Sequence, residues 1–176
     1  VYGNNQAGNS FSAPFSFTTS AAPPSIAEYN FNNSTYNNSN ATNPFLSNSG
    51  TSFVTVREVV TPTGALYINN TGTTAPIASL PSGNSPRSVS IWIKPNTIAY
   101  YNYLFGYGTQ TNNNAYGFSF DASGINNFGW ANDVTDATAI VANVWTHIVT
   151  TYDEVGMARI YINGVLKKSA SKTNWN

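Results

Sequence analysis

The 176-residue sequence contains no cysteine, which excludes disulfide staples and thiolate-ligated metal centres. Charge is almost as scarce. Asp, Glu, Lys and Arg supply 8% of the chain, against roughly 25% in an average soluble protein, and seven bases cancel seven acids. A neutral chain has no field to draw in phosphate backbones or an anionic lipid surface, so nucleic acid is excluded as a partner class. No apolar run approaches the roughly 18 residues of a membrane span, and no membrane insertion is expected. The start, Val1-Tyr2-Gly3, has no basic stretch ahead of an apolar one and does not read as a signal peptide. Helical periodicity is missing as well, with 137–142 the one stretch spaced to make a turn.

What the chain does have is 14% aromatic and 41% apolar residues, enough to bury a sizeable core and too apolar for disorder. Solubility falls to Asn, Ser and Thr, which crowd 32–40 and 112–114, as on many secreted β proteins. Short β-branched and aromatic segments recur at 53–60, 65–68, 89–94, 103–107, 116–120, 128–130, 145–152, 158–162 and 165–167. Gly, Pro, Asn and Asp punctuate them about every ten residues, the spacing of a sandwich or jelly roll. Asn163-Gly164 between the last two suits a type I′ hairpin turn, because both residues tolerate positive φ.

The stretch Trp145-Thr146-His147-Ile148-Val149-Thr150-Thr151-Tyr152-Asp153, then Ile160-Tyr161-Ile162-Asn163-Gly164-Val165-Leu166, resembles laminin-G-like domains of the concanavalin A-like lectin/glucanase superfamily. So does Ser88-Val89-Ser90-Ile91-Trp92-Ile93-Lys94-Pro95. The resemblance covers about 25–176 and implies an all-β fold, an antiparallel jelly-roll sandwich with Trp92 and Trp145 in its core. It also implies closing strands after the Asn-Gly hairpin. The chain ends at Asn176 without them, so the sandwich is expected to lack its last strands and the natural polypeptide to continue. At the other end, the Asn4 to Ser10 turn and Phe15-Ser16-Phe17-Thr18-Thr19 resemble the last hairpin of fibronectin type III domains. The expected organisation is therefore 1–19 as the end of such a domain, 20–25 as a linker around Pro23-Pro24, and 26–176 as the laminin-G-like sandwich. Its first strand is expected at 26–31 and a polar loop at 32–50.

Catalysis finds little support. A nucleophilic triad needs a histidine free to act, and the one histidine, His147, sits within a strand on the same face as Trp145 and reads as structural. A glycosidase needs two facing carboxylates, and the seven available are Glu28, Glu58, Asp121, Asp133, Asp136, Asp153 and Glu154. The fold's glucanases resemble one another in a Glu-x-Asp-x-x-Glu strand, which is not present here. For a ligand, Tyr100, Tyr101 and Tyr103 beside Asn102 form the most loop-like aromatic cluster, of the kind that stacks on a pyranose while an amide bonds its hydroxyls. Tyr107 with Trp130 is a second, and both compete with a core assignment.

If successive strands run antiparallel, loops 109–115, 132–143 and 163–164 emerge at one end, and 95–101, 121–126 and 153–156 at the other. The first end gathers Asn112, Asn113, Asn114, Asn132, Asp133 and Asp136. Their oxygens suit calcium, which laminin-G-like domains often hold at a loop end. Solvated turn residues are the plain alternative. The expectation is a non-catalytic adhesion or glycan-binding module of a large secreted or cell-surface protein, such as a bacterial adhesin. It would be continuous with further domains on both sides, take a glycan or a surface protein as its ligand, and hold calcium if any cofactor. A structural spacer, a protein-interaction module and an accessory module of a polysaccharide-degrading enzyme remain the alternatives.

Overall fold

The computed structural model describes residues 2–5, 8–11, 25–31, 44, 50–57, 63–69, 71–173 and 175. The chain divides into two compact units, 1–78 and 79–176. In the first unit β1 (Tyr2–Asn5) and β2 (Gly8–Phe11) form an antiparallel hairpin, and β3 (Thr51–Arg57) pairs antiparallel with β4 (Thr63–Ile68). The strand expected at 13–19 lies outside the described residues, as does the linker at 20–25 apart from Ser25 and the loop at 32–50 apart from 44 and 50. Residues 25–31 are irregular, so the first strand expected at 26–31 does not form; Phe31 turns through φ 56° and stacks on Tyr29.

The second unit is a sandwich of two antiparallel sheets. One has the order β12-β11-β10-β5, built from β5 (Arg87–Ile93), β10 (Thr146–Tyr152), β11 (Met157–Ile162) and β12 (Val165–Ser171). The other has the order β6-β7-β8-β9, built from β6 (Asn102–Gly108), β7 (Ala115–Asp121), β8 (Gly124–Phe128) and β9 (Val134–Asp136). Period-2 alternation decides what each strand buries. Ile148, Thr150 and Tyr152 of β10, with Ala158, Ile160 and Ile162 of β11, face Tyr116, Phe118 and Phe120 of β7 across the interior. The type I′ turn forms as expected, with Asn163 at φ 50° and Gly164 at φ 79° between β11 and β12. Among the described residues there is no helix, hence none long and apolar enough to cross a membrane.

Two expectations about this unit fail. Trp92 lies on the outer face of β5, 51% exposed, with its ring stacked on His147 at 4.8 Å, and Trp145 is only partly buried just before β10. The tryptophan in the core is Trp175, fully buried against Tyr116 and Tyr152. The loop ends also differ, because the short strand β9 reverses the parity of everything after it. Loop 153–156 lies with 129–133 and 172, as Lys172 N–H donating to Gly156 O and Lys172 Nζ donating to Asn132 Oδ1 show. The 163–164 turn and residue 143 lie instead with Pro95, through Asn163 N–H to His147 O and Asn143 N–H to Pro95 O.

Candidate functional site

The outer face of the second sheet is built by small residues that admit large ones. On it, by register, Gly106 and Gly117 sit side by side, with Ser119 opposite Asn126 and Asn126 opposite Thr135. A Cβ on Gly117 would stand 2.4 Å from Phe105 O and 2.5 Å from the Phe128 ring, so only glycine there lets Phe128 lie flat across the sheet. Tyr103 then packs edge-on against Phe128, with centroids 5.7 Å apart, and Tyr101 stacks beyond it at 6.0 Å. Tyr101 holds φ at 52°, an unusual state for a bulky residue, and this turn brings its ring to 4.2 Å from that of Tyr100. The result is an aromatic wall in which Tyr100 is 80% and Tyr103 61% exposed. The cluster read from the sequence is thus assembled at the surface. Asn102 serves the loop rather than the surface: its Nδ2 donates to Ala99 O and Phe120 O, which fastens the chain beneath the tyrosines.

Two adjoining hollows flank the turn after β7. One, of about 280 Å³, is lined by Ile98, Ala99, Tyr100, Asp121, Ala122 and Ser123. The other, of about 120 Å³, is bounded by Tyr101 on one side and by Ser119, Asp121, Ser123, Asn126 and Thr135. Asp121 Oδ1 accepts bonds from Ser123 Oγ and, at 2.7 Å, from Ser123 N–H, which hold its carboxyl below the usual carboxylate range. A hydrogen bond with Tyr100, and the nearby charge of Asp121, push the Tyr101 phenol up. Asn126 Nδ2 donates to Asp133 Oδ2, while Asn126 Oδ1 is buried with no hydrogen-bond partner among the described residues. The face therefore offers flat rings, hydroxyls, an amide and one ionised carboxylate. The sequence reading set loop 121–126 at the same end as 95–101 without assigning it a ligand role, and Ser119 and Thr135 escaped it; the signal for them is the tight Asp-Ala-Ser-Gly turn, which sets the pairing of Ser119 with Asn126.

Of the residues expected to hold calcium, Asn112, Asn113, Asn114, Asn132 and Asp133 lie at one loop end and Asp136 lies apart from them. Asn132 Nδ2 donates to Asn113 Oδ1, and Asn132 Oδ1 takes the Lys172 ammonium at 2.8 Å, where a metal ion would repel it. Asn114 Nδ2 donates to Thr111 Oγ1 and Asn112 O, turning inward on its own loop. Asp133 Oδ1 accepts from Gly129 N–H, and Asp136, at the far end of β9, accepts from Thr138 N–H and lies near Lys167 and Lys168. As placed, these side chains bond one another, their own loops and Lys172. Tyr107 and Trp130 are likewise apart in role: the Tyr107 hydroxyl donates to Pro81 O, and burial pushes its phenol up to about 12.

His147 Nε2 lies 2.8 Å from Ser90 Oγ, its ring lies on Trp92, and among the described residues the ion pair that forms is Arg159–Asp153, at 2.7 Å.

Three carboxylates are depressed: Asp121 by Ser123, Asp136 by Thr138, and Asp153 by the Met157 N–H and Arg159. In the folded chain they stay ionised where the unfolded chain has begun to bind protons. Their contribution is complete above the usual carboxylate range and is lost as pH falls through and below it. The thermal midpoint should stay level between about pH 7 and 5 and fall below about pH 4. A midpoint that held constant to about pH 3 would remove these bonds from the stability account.

A family model described as the concanavalin A-like lectin/glucanases superfamily, Laminin_G_3, matches residues 63–176, more than half of the chain. A comparison with curated proteins finds no match.

Proposed function

Because the chain belongs to the concanavalin A-like lectin/glucanase superfamily, we propose that residues 79–176 form a non-catalytic module that binds a glycan on the outer face of the β6–β9 sheet. The observation that carries this reading is the exposed row Tyr100, Tyr101 and Tyr103 standing over hollows lined with hydroxyls, an amide and a carboxylate. A pyranose presents an apolar face of C–H groups and a rim of hydroxyls. The tyrosine rings match the first, burying area at little entropic cost since each has two torsions, and Ser123, Asn126, Thr135 and Asp121 match the second.

The non-catalytic part of the reading is supported by the sequence, which has no Glu-x-Asp-x-x-Glu strand, and Asp121, whose pKa Ser123 lowers, does not suit the part of a protonated acid. The module would serve an extracellular or cell-surface protein, in keeping with a polar complement carried by Asn, Ser and Thr rather than by charge. Calorimetric titration with cello-, xylo- and manno-oligosaccharides tests the proposal. At least one series should bind the wild type, and Tyr103→Ala should weaken it about tenfold, roughly 1.4 kcal/mol. Equal affinity in Tyr100→Ala, Tyr103→Ala and the wild type would remove the aromatic wall from the binding site.

A further inference from the structure

The same site, taken as a glycan site on the reading above, carries a charge signature that selects among sugars. Asp121 lines both hollows, and none of the other lining residues is charged. The cations of this unit lie elsewhere. Arg87 is buried under Tyr116, Arg159 pairs with Asp153, Lys172 donates to Asn132, Lys167 and Lys168 act on Asp136, and Lys94 lines neither hollow. The larger hollow is otherwise apolar on the Ile98, Ala99 and Tyr100 side, and the solvated Asp121 carboxylate at its edge is the one charge there, so its pull on a cation is modest and screened by salt.

From this arrangement we infer that Asp121 is a specificity-determining residue, and that the site favours glycans carrying an unsubstituted, protonated amino sugar while disfavouring uronic or other acidic glycans. An ammonium on C2 of a hexosamine can sit between the Asp121 carboxylate and the Tyr100 ring, gaining a charge-assisted bond and a cation–π contact together. An acidic sugar placed there would meet like charge with no base to offset it.

Three β-1,4-linked tetrasaccharides that differ at C2 test this: glucosamine oligomer (ammonium), chito-oligomer (acetamide) and cello-oligomer (hydroxyl). They are titrated calorimetrically into the full chain at a pH that keeps the amines protonated. The glucosamine oligomer should bind about threefold to fivefold more tightly than the cello-oligomer, a preference that added salt erodes. In Asp121→Asn the ratio of the two affinities should fall to about one, since the amide keeps Oδ1 for the Ser123 turn but loses the charge. Thr135→Lys, which leaves that turn untouched and sets a cation in the smaller hollow that Asp121 also lines, should lower the ratio independently. A wild-type ratio near one, unchanged in both variants, would overturn the amino-sugar inference and leave glycan binding standing. If none of the three binds, and the neutral series above do not bind either, the glycan reading falls and takes this inference with it.

Discussion

Replacing Trp175 by Ala should unfold much of the second unit, at a cost of about 3–5 kcal/mol. The indole is fully buried, with Tyr116 and Tyr152 each 5.7 Å away between centroids, and close-packed rings do not collapse to fill the space it would leave. Gly129 gives room for it: a Cβ at that position would stand 1.4 Å from Trp175 Nε1. The contrasting variant is Trp92→Ala, which removes an exposed ring from the outer face and should cost only about 1 kcal/mol. Denaturant midpoints of the two variants give the comparison, and equal losses would place the core elsewhere.

Arg87→Met should be nearly as damaging, for an electrostatic reason. Arg87 opens β5 and is only 7% exposed, yet its guanidinium faces carbonyls rather than a carboxylate. Nη1 donates to Pro81 O and Ser85 O, Nη2 to Gly83 O and Trp175 O, and the flat cation lies 4.5 Å from the centre of Tyr116 and 4.8 Å from that of Tyr152. Removing the fork strands several buried acceptors at about 1–3 kcal/mol each, softened by relaxation, so a total of about 3 kcal/mol is expected. Arg87→Lys should recover little of it, because a point charge cannot meet four carbonyls at once or stack between two rings. Chemical denaturation of both variants checks this, and a lysine variant as stable as the wild type would show that charge alone, not the fork, is what the site uses.

Those two residues also show where the sequence is hard to read. Alternation in 146–152 and 157–162 and the Asn163-Gly164 turn are local signals, and the strands and hairpin form where they point. Alternation does not say which of its two faces turns inward. Trp92 stands in such a strand, and the inward set there is Val89, Ile91 and Ile93, with Trp92 left outside. Trp175, flanked by asparagines near the end of the chain, has no periodic context to mark it. The three-residue strand β9 is too short for any pattern, and without it the loop ends that follow are reversed and Asp136 is drawn to the 112–114 end, from which the fold keeps it apart. At the candidate site the aromatic half was legible, because three tyrosines in four residues at a turn are unusual. The polar half was not, since Ser119, Asn126 and Thr135 meet only through strand register.

The most direct test of glycan binding on the β6–β9 face is a backbone-amide NMR titration of the chain with the tightest-binding oligosaccharide. Saturable shifts confined to residues 98–103, 119–126 and 135 are the predicted result. Shifts that map instead to the Trp92 and His147 face of the other sheet, or no saturable shifts with any oligosaccharide, would contradict the account.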